Sequence, residues 1–143
     1  MKDLHTKISV QRVIDPQAVG TTGVGRTGKI IDTQGYGGVE FALAYGSITA
    51  TNAVITPVVK EGDVTGTMTS VADADLIGLE VTAGVAAAAT RTSAVSKNCT
   101  RRIGYKGNKR YVNVSISATV TAVPIISAVA ILHSPVLAPT TNP

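Results

Sequence analysis

Apolar and polar residues alternate along most of this chain with a period of two, the spacing of strands that bury one face. From His5 to Ile14, Ile8, Val10 and Ile14 fall on one side and Lys7, Ser9 and Gln11 on the other, which predicts a strand ended by Asp15-Pro16. Residues 17–28 are rich in Gly and Thr and read as a loop. Lys29 to Thr33 resumes extended structure, and Gly35-Tyr36-Gly37-Gly38 turns the chain. Val39, Phe41, Leu43 and Tyr45 then alternate with Glu40, Ala42 and Ala44, the clearest run of the first half. Asn52 to Lys60 predicts a strand at a sheet edge or with a bulge, because Pro57 removes a ladder donor. Glu61 to Thr69 reads as a polar turn region, and residues 64–97 as irregular, with one or two short strands. Within them Ala83 to Ala89 has the composition of a short helical turn, weakened by Gly84. Ile125 to Leu132 is almost unbroken in its apolar character and predicts a central strand.

The strongest local signal lies between Cys99 and Ile116. Two alternating runs flank Gly107-Asn108, a pair that favours a two-residue β-hairpin turn. That hairpin would set Ile103 opposite Val112, Tyr105 opposite Arg110 and Gly104 opposite Tyr111. Ile103, Tyr105, Val112, Val114 and Ile116 would face a core. Arg102, Lys106, Lys109, Tyr111, Asn113 and Ser115 would face water. Tyr111 would then cover the backbone of Gly104 as an aromatic–glycine pair.

Short strands punctuated by Gly, Pro and Asn indicate an all-β sandwich or barrel of antiparallel strands. Composition agrees: one Phe, four Tyr and no Trp leave a core built mainly of Val, Ile and Ala. At 143 residues a single domain is expected, here over residues 1–134, followed by an extended C-terminal arm at 135–143 that carries three prolines and no charge. One cysteine, Cys99, excludes an internal disulfide framework and reads as a buried, unreactive thiol in a chain made in a reducing cytoplasm.

Charge changes the picture more than composition does. Residues 1–80 hold six Lys/Arg and nine Asp/Glu, residues 81–143 seven Lys/Arg and no acid, and six of those seven lie between Lys97 and Arg110. Such polarity favours complementary association, and its plainer reading is a solvated basic hairpin. Residues 111–143 lack charge, but their longest apolar run, Ala122 to Leu132, is broken by Pro124 and Ser127. Spanning a bilayer as a helix takes ~20 consecutive apolar residues, so these are expected to be buried strands. Lys2 and Asp3 precede an alternating segment with no apolar block, so no secretory leader is expected.

Candidate chemistry is sparse. Gly23-Val24-Gly25-Arg26-Thr27-Gly28 fits G-x-G-x-x-G, and Gly23 to Lys29 fits the front of a P-loop. Ile30 stands where a P-loop needs Ser or Thr, and the residues that follow predict a strand, with no helix to offer its amides to phosphate. Asp73 and Asp75 are spaced like oxygen ligands, yet nothing nearby completes a calcium loop. His5 and His133 have no nucleophile or orienting acid beside them. Asn98-Cys99-Thr100 and Asn113-Val114-Ser115 match glycosylation acceptors, which carry little weight without a leader. No enzyme, cofactor or metal is therefore expected. Tyr111 ringed by Arg102, Lys106 and Lys109 has the make-up of a binding hot spot for an acidic partner; equally, Tyr111 stabilises an exposed sheet.

The segment Arg102-Ile103-Gly104-Tyr105-Lys106-Gly107-Asn108-Lys109-Arg110-Tyr111-Val112 resembles one in small proteins encoded beside the capsid gene of tailed bacteriophages. Met1-Lys2-Asp3-Leu4-His5, Ile31-Asp32-Thr33-Gln34-Gly35-Tyr36 and Val71-Ala72-Asp73-Ala74-Asp75-Leu76-Ile77-Gly78 extend the likeness, in the expected order. The resemblance implies a capsid cement (decoration) protein with a jelly-roll-like sandwich. Such a protein is a non-enzymatic virion component on the outer head surface, bound to the major capsid protein and to itself as a homodimer. Expected contacts to the shell or to itself are Lys2, Asp3, Arg26 and Lys29, then Arg102, Lys106, Lys109 and Tyr111. A head–tail connector or tail component shares this composition. A basic nucleic-acid-binding module using Lys97 to Arg110 is a further alternative.

Overall fold

The computed structural model describes residues 3–18, 23–46, 54–85, 98–118, 125–137 and 140. In chain order the elements are β1 (Ile8–Ala18), β2 (Gly23–Thr27), β3 (Ile31–Asp32), β4 (Tyr36–Tyr45), β5 (Ile55–Val64), β6 (Thr67–Ser70), β7 (Leu76–Ile77), α1 (Glu80–Ala83), β8 (Cys99–Tyr105), β9 (Tyr111–Ala118) and β10 (Ile125–Pro135), with 3-10 turns at His5–Lys7 and Asp73–Asp75. Every strand pair is antiparallel. One sheet runs β1-β10-β4-β8-β7, and the other β2-β9-β5-β6 with β3 also on β9. The chain is an all-β sandwich. It passes from sheet to sheet at six of the nine connections between these strands, an order compatible with a jelly roll.

Alternation builds the core. Val39, Phe41, Leu43 and Tyr45 of β4, with Ile126, Ala128, Ala130 and Leu132 of β10, face Ile55 and Val59 of β5 and Val112, Val114, Ile116 and Ala118 of β9. Ala130 lies opposite Phe41 and Ala128 opposite Leu43, so small residues make room for large ones. Each fully buried Val, Leu or Ile stabilises by ~1.5–3 kcal/mol. The expected central strand at Ile125 to Leu132 is β10, an interior strand between β1 and β4.

Several boundaries differ from the sequence pattern. His5 opens a 3-10 turn, and β1 continues through Asp15-Pro16 to Ala18. Register shifts between Arg12 and Ile14 and between Ile14 and Gln17 bulge this strand, so Val13 and Ile14 are both buried. Before the bulge the phase is the reverse of the one the sequence suggested: Ser9 faces the core and Val10 is 41% exposed. Pro16 is tolerated because β1 is an edge strand.

The Gly/Thr-rich stretch contains β2, which lies along β9 and gives way to β3 around Gly28. Gly28 N–H donates to Val114 O (3.0 Å) and Lys29 N–H to Val13 O (2.9 Å), tying the two sheets together. A Cβ on Gly28 would stand 2.3 Å from Val114 O, so no other residue fits there without a backbone shift. Tyr36 already belongs to β4, and the turn before it is closed by Tyr36 N–H on Thr33 O with Gly35 at φ +88°. The strand expected from Asn52 is β5; Asn52 and Ala53 lie outside the described residues. At Ile55 both backbone groups turn away from β9 to Val85, and Val59 N–H bonds the Glu80 carboxylate (2.7 Å). β5 is interior in the sheet order, but no strand flanks it at Pro57 on the side away from β9; Pro57, in phase with both, points its missing donor to that side, so no ladder bond is lost. The polar region 61–69 is a hairpin, β5 to β6, turning at residues 65 and 66. The helical turn expected at Ala83 to Ala89 is not formed where that range is described: α1 is the preceding Glu80–Ala83, Gly84 is extended and Val85 bridges Ile55, while residues 86–89 lie outside the described residues.

The largest correction concerns the hairpin expected at Gly107-Asn108. β8 pairs with β4 and β7 in one sheet, and β9 with β2, β3 and β5 in the other. Residues 106–110 therefore form a corner between sheets. Both arrangements turn Ile103, Tyr105, Val112, Val114 and Ile116 inward, so periodicity does not separate them. What favours the corner is the buried Tyr105 ring, against which Gly107 packs so closely that a Cβ would lie 2.5 Å from the hydroxyl. Asn113 and Ser115, expected in water, are 4% and 8% exposed, because β9 is flanked on both sides within its sheet. Tyr111 lies opposite Asp32 and Gly62, while Gly104 is covered by Glu40 and Ile77.

Candidate partner interface at the sheet-to-sheet corner

Three chain segments distant in sequence hold the corner in place. Tyr105 Oη donates to Glu61 Oε2 of β5 (2.6 Å) and accepts the Lys109 N–H (2.9 Å). Burial, and then the Glu61 carboxylate, push the Tyr105 hydroxyl well above the ordinary phenol range, so it stays a neutral donor. Asp32 of β3 receives Arg110 through two guanidinium bonds, Nε to Oδ1 (3.0 Å) and Nη2 to Oδ2 (2.7 Å). That contact holds the Asp32 carboxyl below its usual range and raises Arg110. Thr33 adds an N–H and a hydroxyl bond to Arg110 O, both 2.8 Å. Lys109 is paired with Asp63, which raises its ammonium. Lys106 N–H donates to Asp75 O (2.9 Å), joining the corner to the turn before β7.

The corner thus gathers Lys106, Lys109 and Tyr111, but not Arg102: in the phase opposite Ile103 and Tyr105, Arg102 turns out of the β8 sheet towards Glu40, while Tyr111 stands in the outward phase of the other sheet, so the single basic face expected of the hairpin is split. Arg110 stacks over the Tyr111 ring at 5.1 Å. Lys109 and Arg110 have carboxylate partners, which the expectation of an open basic ribbon did not include. Arg102 is more open than Lys109 or Arg110, 83% exposed in its side chain and 3.6 Å from Glu40. Lys106 is exposed and forms no ion pair among the described residues. The acidic and basic halves of the sequence therefore meet within one molecule at Asp32, Asp63 and Glu40. No local motif marked those acids as partners; the confinement of every acid to the first 80 residues was the one sign of it.

The other expected contacts sit apart. Arg26 lies opposite Ile116 on β2, where Nε and Nη2 donate to Ala18 O (3.1 and 3.0 Å) and brace the segment before it. Lys29 is exposed just after Gly28. Asp3 precedes β1 and bonds the N–H and hydroxyl of Thr6, which lowers its carboxyl. Lys2 lies outside the described residues, as do Lys97 and most of the expected arm. Pro135 ends β10, and Thr140 bonds Thr6 O (2.9 Å) and Ile8 O (2.7 Å). Between these points is an open concavity of about 540 Å³, walled by Tyr36, Pro135, Val136 and Leu137.

Residues weighed for chemistry have structural places. Gly23–Thr27 is strand β2, and β3 follows it. Asp73–Asp75 is a 3-10 turn. His133 Nδ1 lies 3.1 Å from Ser134 Oγ, and its ring rests on Gly38. Cys99 is half-buried against the core, more open than expected. Among the described residues no group of three or more His, Cys, Asp or Glu is placed to hold a metal ion. No helix among them is long and apolar enough to cross a membrane.

No family model matches this chain, and no curated protein matches it. Among solved structures it is similar to the CBM22-1–GH10 modules of Clostridium thermocellum endo-1,4-β-D-xylanase 10B, at 11% identity and a TM-score of 0.47 over 90% of this chain. The chain spans 25% of that protein's length. It is also similar to a pilus structure of Bacillus endospore appendages, at 18% identity and a TM-score of 0.38, covering 90% of this chain and 88% of that one.

Proposed function

We propose that this domain is a non-enzymatic structural protein of a tailed-phage virion, which binds the outer surface of the head and cements neighbouring major capsid protein subunits, associating with itself as a homodimer. The observation that carries the reading is where the resembling segments lie. Residues 31–36, 71–78 and 102–112 are far apart in sequence, yet they converge on the corner. Asp32 bonds Arg110, Thr33 bonds Arg110 O, Asp75 O bonds Lys106 N–H, and Leu76 pairs with Tyr105. Three of the four resembling segments thus build one local structure, as a shared surface would leave; the fourth, Met1 to His5, precedes β1 and takes no part in these contacts among the described residues.

A shell stretched by packaged DNA is strained at its subunit junctions. A small rigid domain bridging two subunits adds contact area there, and many copies make a modest affinity per site effective. Lys106, without an ion pair among the described residues, and Arg102, exposed and held only at 3.6 Å by Glu40, are the cations near the corner most available to an acidic site. The nucleic-acid alternative loses support from the same geometry, since Lys109 and Arg110 already have carboxylates. Co-sedimentation with shells assembled from the capsid protein tests the reading: wild type saturates the shells, and Arg102→Glu with Lys106→Glu stays folded and binds weakly. Absence of wild-type binding sinks the proposal. Binding limited to about a dozen copies at one vertex, a number taken from the expected geometry of a portal ring, points to the connector instead.

A further inference from the structure

Among the described residues the sandwich has four sheet borders, and three of them are blunted in ways known to prevent edge pairing. β1 is bulged twice, carries Arg12, Asp15 and Pro16, and is met by Lys29 N–H at Val13 O and by Thr140 at Ile8 O. β7 is two residues long and runs into Gly78 at φ +96°. The β2–β3 border is broken at Gly28. The fourth border is β6, Thr67-Met68-Thr69-Ser70, with no charge and no proline. Thr67, Thr69 and Ser70 are exposed.

Register fixes which backbone groups are open. Glu61 lies opposite Thr69, and Val71 N–H donates to Val59 O (3.0 Å), so the odd-numbered residues bond inward to β5. Met68 and Ser70, in the other phase, aim their N–H and C=O groups away from it. No hydrogen bond among the described residues reaches those groups.

We infer that β6 pairs antiparallel with β6 of a second copy of this chain, continuing the sheet across a two-fold axis at Thr69. Identical strands related by a two-fold are antiparallel and self-complementary without further design. Met68 of each copy then exchanges both backbone bonds with Ser70 of the other, and the two Thr69 side chains meet as a close, non-bonded pair. The absence of charge on the strand means that no like charges are opposed. This deepens the self-association in the reading above, and it is tested in solution without shells, so the two stand or fall separately.

Ser70→Pro removes an N–H that bonds nothing within the chain and places ring atoms on the free edge, where an edge strand tolerates them. Thr69→Lys opposes two like charges across the axis. Sedimentation should show wild type passing from monomer to dimer with rising concentration, with the Met68 and Ser70 amides exchanging more slowly as the dimer forms. Both variants should lose the dimer while keeping the wild-type circular dichroism spectrum. If Ser70→Pro fails to fold, Thr69→Lys decides. A wild type that stays monomeric, a dimer that survives the folded variants, or exchange that ignores concentration each overturns the proposal. A monomer whose β6 is protected only by an added capsid peptide overturns it too.

Discussion

Tyr105 shows how much one side chain settles. Its place in an alternating run made it legible as a core residue, and its ring is buried. Its partners were not legible, because Glu61 is 44 residues away and belongs to the other sheet. The hydroxyl closes two bonds, so removing it strands a half-buried carboxylate and the Lys109 N–H at once. Tyr105→Phe should destabilise by ~1–3 kcal/mol, the range for groups left without partners on burial. Urea unfolding measures the change; a loss near zero would mean that water replaces both bonds. Glu61→Gln tests the other end, since an amide oxygen still accepts the hydroxyl and should retain most of the stability.

At the scale of elements, the hairpin and the corner teach the same lesson from opposite sides. Inward-facing residues were read correctly on β4, β8 and β9, because burial selects a period of two whichever sheet a strand joins. Which neighbour each strand takes is set by contacts that a local window does not contain: Tyr105 with Glu61, Asp32 with Arg110, Gly28 with Val114. The β1 bulge escaped for another reason, since one inserted residue reverses the pattern without breaking it.

The corner should also respond to acid. The Asp32 carboxyl titrates below its ordinary value when folded, so its stabilising contribution is complete above the unfolded value of ~3.9 and disappears as pH falls through the folded one. The stability gap between wild type and Asp32→Asn should be constant near neutral pH and close in strong acid. Because the pair is half-exposed, added salt should shrink it as well. A gap that is independent of both pH and salt would remove Arg110 as its source.

For the whole molecule, the sequence polarity that suggested attraction between copies is largely spent inside one copy. Around the corner, what stays available is Lys106, an Arg102 held only at 3.6 Å by Glu40, and an uncharged edge at β6, which is a different set of handles from the open basic ribbon the alternation implied. The expectation of an antiparallel all-β sandwich fared better, because strand number and turn chemistry bound the architecture even when individual pairings are wrong.

The position of β10 has a temporal consequence. This strand, later in sequence than every other described one, is inserted between β1 and β4, so neither can close its side of the sheet until it arrives. A nascent polypeptide therefore leaves the ribosome with two long unsatisfied ladders waiting for their common neighbour, and refolding should be slow, in the millisecond-to-second regime of nonlocal topologies. Chains halted before Ile125 should remain protease-sensitive and recruit chaperones, while a separately supplied β10 peptide should rescue them, much as a missing stave completes a cask.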